Sequence, residues 1–150
     1  MMKGDRNMLD FEEKVLCRKV AGVLELAAIE GYEPIAFTKL WLSSKTAYNL
    51  YIWDFKDIAQ SKQYLLHSIE IEYQLTEEDK QNNVEQMSDA MYWAGYTLMY
   101  LSLLDKMEPK ELLEMYDIGR ILQCYDTLHT LSTTVAIDKI KEDFVITKMK

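Results

Sequence analysis

The sequence predicts an all-α fold: one single-domain compact bundle of about six to seven helices over residues 1–150. Three observations carry that expectation. No stretch shows the sustained apolar–polar alternation of a half-buried strand. Five Gly and two Pro in 150 residues are too few for the turns of a multi-stranded architecture. Apolar residues recur at helical spacing through most of the chain. A chain of this length buries roughly 70% of its unfolded surface, so neither metal nor disulfide is needed to hold it. The 49% apolar and 28% charged composition is that of a globular protein.

The elements follow in order. Asp10–Glu30 places Leu16, Val20, Val23, Leu24 and Ala27 on one stripe and Glu12, Glu13, Arg18, Lys19 and Glu25 off it, an amphipathic helix. Gly31 ends it as a left-handed C′ residue, with Pro34 shortly after. A shorter helix over Ile35–Leu42 turns Phe37, Leu40 and Trp41 inward, and Ser43-Ser44 offers an N-cap for Lys45–Trp53. Asp54–Asp57 reads as a connector. Gln60–Leu75 aligns Leu65, Ile69 and Tyr73 at i, i+4, i+8. The polar loop 76–85 joins two sub-halves, 10–75 and 86–144, without amounting to a domain boundary.

Gln86 or Ser88 opens a long central helix. Between Asp89 and Asp105 lie fifteen uncharged residues, four of them aromatic. Tyr92, Tyr96, Met99 and Leu103 form one stripe; Trp93, Tyr100 and Leu104 form its neighbour. The two cover most of the circumference, as in a core helix. Yet Tyr and Trp need partners for their OH and NH groups when buried, and both are enriched at protein interfaces. After it, Glu108-Pro109 starts a brief helix with Leu112, Leu113 and Tyr116, because proline suits the first helical position. Ile118–Leu128 is the next helix. A turn at Thr130–Ser132 then leads into Thr133–Phe144, and the tail Val145–Lys150 is expected to fray.

The net charge of −8 is lopsided. Residues 1–75 carry nine Lys/Arg against eleven Asp/Glu, and residues 76–150 carry eight against fourteen. Such a balance opposes phosphate backbones and anionic membrane surfaces and steers basic partners inward. Cys17 and Cys124 stand 107 residues apart without a CxxC, the usage of a reduced cytoplasmic protein. MMKGDRNMLDFEEK lacks the apolar core of a secretory signal, and the uncharged run falls short of the about 20 residues a membrane span takes.

Few constellations carry chemistry. Asp126 and His129, three apart, could pair a carboxylate with an imidazole, but a general base also needs a nucleophile in reach. His67-Ser68-Ile69-Glu70 reverses the helical di-iron order and occurs once, where such sites need two copies and further carboxylates. Asp79, Gln81, Asn83 and Glu85 lack the glycine and terminal glutamate of a calcium loop. No phosphate-binding, dinucleotide or zinc-protease motif occurs. No cofactor and no metal is therefore expected.

Two stretches together resemble a known group. MYWAGYTLMY (91–100) followed by HTLSTTVAID (129–138), with AFTKLWLSSKTAYNL (36–50) and QSKQYLL (60–66), is similar to small bacterial helical proteins encoded beside putative ADP-ribosyltransferase-like toxins. The resemblance spans roughly residues 35–143. In that group basic and aromatic residues follow where this chain has Thr97-Leu98-Met99-Tyr100. The resemblance implies an antitoxin-like accessory protein without catalytic residues.

The resulting expectation is a non-enzymatic, acidic, cytoplasmic protein-binding module. Its partner would be a neighbour-encoded toxin or similar protein, with a homodimer as a further option and neither nucleic acid nor membrane as a target. The contact residues expected are Tyr92, Trp93 and Tyr96 on the central helix and His129 and Thr130 at the following turn. Two alternatives stand beside it. One is a small dimeric transcriptional regulator with a basic face from Lys39, Lys45, Lys56 and Lys62. The other is a small enzyme using Asp126 and His129.

Overall fold

The computed structural model describes residues 8–146. Among them lie ten α-helices: α1 Phe11–Glu30, α2 Pro34–Ser43, α3 Lys45–Tyr51, α4 Phe55–Ile58, α5 Lys62–Glu72, α6 Ser88–Asp105, α7 Pro109–Met115, α8 Ile118–Gln123, α9 Tyr125–Leu128 and α10 Thr133–Asp143. Single 3-10 turns cover Glu77–Asp79 and Glu85–Met87. The all-α expectation holds, but six to seven helices is an undercount. Asp54–Asp57, expected to be a connector, instead caps and begins the single turn α4, the Asp54 side chain accepting from the Lys56 N–H at 2.9 Å. Ile118–Leu128, expected as one helix, is interrupted at Cys124 (φ −96°, ψ 15°), giving α8 and α9.

The caps are where side-chain chemistry places them. Asp10 Oδ1 accepts from the Glu13 N–H at 2.8 Å while Glu13 Oε1 accepts from the Asp10 N–H at 3.0 Å, a reciprocal pair that starts α1. Gly31, at φ 111°, ends the helix by donating to the Ala27 and Ala28 carbonyls. The Ser44 hydroxyl donates to the Trp41 carbonyl closing α2 and accepts from the Ala47 N–H opening α3. Ser61 and Ser132 cap α5 and α10.

α1 and α6 form the axis of the molecule and pack along their lengths. The expected α1 stripe is buried, joined by Cys17, Ala21 and Ala28. One hydrophobic cluster takes in α1, α2, α3, α5, α6, α7, α8, α9 (through Leu128) and α10, so both sub-halves contribute to it. The close approach is made at Gly95, set against Ala21 and the Val20 carbonyl with no room for a side chain.

Loop 76–85 is strapped to the end of α1. The Gln81 N–H donates to the Gly31 carbonyl at 2.6 Å. Lys80 Nζ bridges Glu30 at 3.2 Å and Glu77 at 2.7 Å and lies 5.7 Å from the Tyr32 ring centroid. Tyr32 in turn donates its hydroxyl to Glu70 of α5 at 2.6 Å. At the other end, Val145 and Ile146 do not hang loose as expected. Val145 bridges antiparallel to Tyr116, and the Ile146 N–H donates to the Met115 carbonyl at 2.8 Å. Residues 147–150, the rest of that tail, and residues 1–7, half of the stretch searched for a secretory signal, lie outside the described residues. Among the described residues no helix is long and apolar enough to cross a membrane.

Candidate functional site

The central helix divides along its length. From Thr97 to Leu104 every side chain is buried. In its first turns only Ala90, Met91, Ala94 and Gly95 are, because these face α1 and the core. Tyr92, Trp93 and Tyr96 remain half-buried on the side left uncovered. Tyr100, one turn further on, is enclosed and takes the Leu9 N–H on its hydroxyl at 3.1 Å.

The uncovered side opens into a cleft of about 560 Å³. One wall is the α6 stripe of Asp89, Tyr92, Trp93, Tyr96 and Thr97, spaced i, i+3, i+4, i+7, i+8, so that all five share a face. Arg18 and Glu25 of α1, seven residues apart and hence on one side of their helix, line a second wall. Tyr125, His129 and Thr133 line the third. The break at Cys124 serves this wall. It turns Tyr125 so that its ring meets Trp93 edge-on, centroids 5.7 Å apart at 64°, a favoured aromatic geometry. His129 stacks on Tyr125 at 4.3 Å and 19°.

Thr97 is 1% exposed, and its Oγ1 is the buried side-chain oxygen that lacks a hydrogen-bond partner among the described residues. A threonine in a helix ordinarily bonds back to a carbonyl one turn earlier. Left without one, a buried hydroxyl costs the desolvation of that group. Burial, then the charge of Cys17, holds the Tyr96 hydroxyl above the usual tyrosine value, against the opposing pull of Arg18. Arg18 itself rests 5.9 Å from the Phe11 ring centroid. Neither Glu25 nor Asp89 has an ion-pair partner among the described residues.

Of the five residues expected to make contact, Tyr92, Trp93, Tyr96 and His129 meet in this cleft. Thr130 does not; it is exposed and its hydroxyl donates to the Thr127 carbonyl at 2.8 Å. The imagined Asp126–His129 couple is not formed either. His129 Nδ1 bonds the Tyr125 carbonyl at 2.7 Å, so the group that fixes the ring is backbone rather than carboxylate. Thr97, with no hydrogen bond to any base, is not set up as a nucleophile. Lys39, Lys45, Lys56 and Lys62 fall on four separate helices, α2 to α5. His67 is exposed and lies 3.4 Å from Glu70, whose other oxygen receives Tyr32. Among the described residues no group of three His, Cys, Asp or Glu could hold a metal ion.

Sequence reasoning missed Asp89, Thr97, Arg18, Glu25, Tyr125 and Thr133. Asp89 and Thr97 were within reach, since extending the Tyr92-Trp93-Tyr96 face by one helical step in each direction yields both. Tyr125 and Thr133 flank His129 at i−4 and i+4, a signal obscured by the unmarked break at Cys124. Compared with known protein families, curated proteins and solved structures, the chain matches none.

Proposed function

We propose that this chain is a non-catalytic recognition protein that grips a partner protein through the aromatic cleft, in the role of the neutralising member of a toxin–antitoxin pair. The observation that supports it is convergence: four side chains from two distant stretches of sequence, Tyr92, Trp93, Tyr96 and His129, line one open cleft. Large aromatic side chains held on a rigid helix give contact area at low cost in ordering, which is why such residues dominate binding energies at interfaces. The acidic surface, −8 overall, steers a basic partner toward it. Two reduced cysteines suit a cytoplasmic setting. The toxin–antitoxin role itself rests on the resemblance carried by 91–100 and 129–138.

Co-expression with the protein encoded beside its gene tests this. A stable complex should co-elute in size-exclusion chromatography, and Trp93→Ala or Tyr96→Ala should abolish it while circular dichroism stays unchanged. A neighbour that does not bind, or that binds both variants as well as the parent, overturns the reading.

A further inference from the structure

We propose that the cleft takes a cationic side chain with N–H donors, a lysine or arginine presented by a protein partner, and reads it through Thr97, Glu25 and Asp89. The proposal rests on the cleft being the recognition site and names the chemistry recognised there. Four features converge on it. The rings of Tyr92, Trp93, Tyr96 and Tyr125 line the cleft, and ring faces attract cations, tryptophan most strongly. Two carboxylates, Glu25 and Asp89, stand at its edge without ion-pair partners among the described residues. The one guanidinium of the lining, Arg18, lies 5.9 Å from the Phe11 ring centroid and leaves the lining with two carboxylates to one guanidinium. And Thr97, 1% exposed, lines the cleft with a buried hydroxyl that has no hydrogen-bond partner among the described residues.

These features disfavour the other ligand classes. An anion would meet two carboxylates against the single guanidinium of Arg18. An apolar side chain would satisfy the rings and leave Thr97 unmatched in a still drier site, where an unpaired hydroxyl costs more. A quaternary ammonium would suit the rings but has no N–H for the Thr97 oxygen to accept. A lysine or arginine answers all of them, its methylene stem lying against the rings and its head donating to Thr97.

The test uses the full chain and two synthetic peptides, identical except that the central residue is lysine in one and acetyllysine in the other. Binding is followed by calorimetry and by the Trp93 indole resonance. The lysine peptide should bind about tenfold more tightly than its acetylated twin, the loss expected when a desolvated cation–π contact goes. Asp89→Asn and Thr97→Val should each weaken it roughly three- to tenfold, a range set by the net worth of one hydrogen bond, with the thermal midpoint of each variant reporting its fold. Equal binding of the two peptides, no binding of either, or binding of free spermidine but not the lysine peptide overturns the proposal. A neighbour-encoded protein that still binds through Trp93 while the peptides are not distinguished defeats this inference alone. Lysine selectivity without any such partner defeats the toxin–antitoxin reading alone.

Discussion

Gly95 of α6 faces Ala21 of α1 so closely that a Cβ on Gly95 would stand 2.9 Å from the Ala21 Cα and 3.1 Å from the Val20 carbonyl oxygen. The obstacle is backbone, which cannot swing aside as a side chain can. This contact fixes the distance between the two longest helices. It also sets how far Tyr92, Trp93 and Tyr96 stand from Arg18 and Glu25 across the cleft.

Gly95→Ala should therefore destabilise the protein by about 1–3 kcal/mol, the usual cost of overpacking a core, even though alanine is the better helix former. Thermal unfolding would register the change as a lower midpoint. A midpoint equal to the parent's would mean that α1 and α6 are not this close.

Thr97→Val should act in the opposite direction. It removes a buried hydroxyl that has no partner among the described residues and keeps the shape of the side chain, so stability should rise by about 1 kcal/mol. In a domain of this size that lifts the midpoint by roughly 2–4 °C. A clear fall would show that the hydroxyl is satisfied in solution.

Stability should decline on the alkaline side. Burial pushes the Cys17 thiol from 9.0 up to about 12. Burial likewise raises the hydroxyls of Tyr32, Tyr51, Tyr73, Tyr96 and Tyr116 above their usual 10.0. In each case the native state keeps a proton that the unfolded chain releases. The contribution is whole below the ordinary value and is lost as pH rises toward the native one, from about pH 9 upward. For Cys17 the slope approaches about 1.4 kcal/mol per pH unit. Urea midpoints measured from pH 8 to pH 11 should fall throughout the upper part of that range, and a flat profile would contradict the burial of Cys17.

The two thiols should separate by reactivity. Cys17 is fully enclosed and Cys124 half-buried. With a chromogenic disulfide at pH 8, one thiol should react in the native protein and the second only on addition of denaturant. Cys124→Ser should leave the native protein inert. Two fast thiols would place Cys17 at the surface.

Much of the fold was legible because its signals are local. The Gly31 stop and the Ser44 and Ser132 caps each act through a hydrogen bond to backbone a few residues away, so sequence spacing suffices to find them. What escaped depends on partners far along the chain. The break at Cys124 has neither proline nor glycine to announce it, and Tyr125, just past it, meets Trp93 of α6. The tether of Val145 and Ile146 is decided by Tyr116 and Met115. The central helix is the sharpest case. Its uncharged circumference gives no periodic cue to which side faces out. Only the placement of α1 and α9 separates Tyr92, Trp93 and Tyr96 from Tyr100, which is chemically the same kind of residue yet sealed against Leu9.

The cleft resembles a vice with one fixed jaw. Its α6 face belongs to an eighteen-residue helix clamped against α1, whereas Tyr125 sits on a four-residue turn that begins at the break. On the proposed recognition role, the width of the cleft is set by where Leu128, buried in the shared core, anchors that turn and with it Tyr125 and His129. On that same role, a change of preferred occupant calls for substitutions on the α6 face at Asp89 or Thr97, and a change of permitted size for substitutions beyond Cys124.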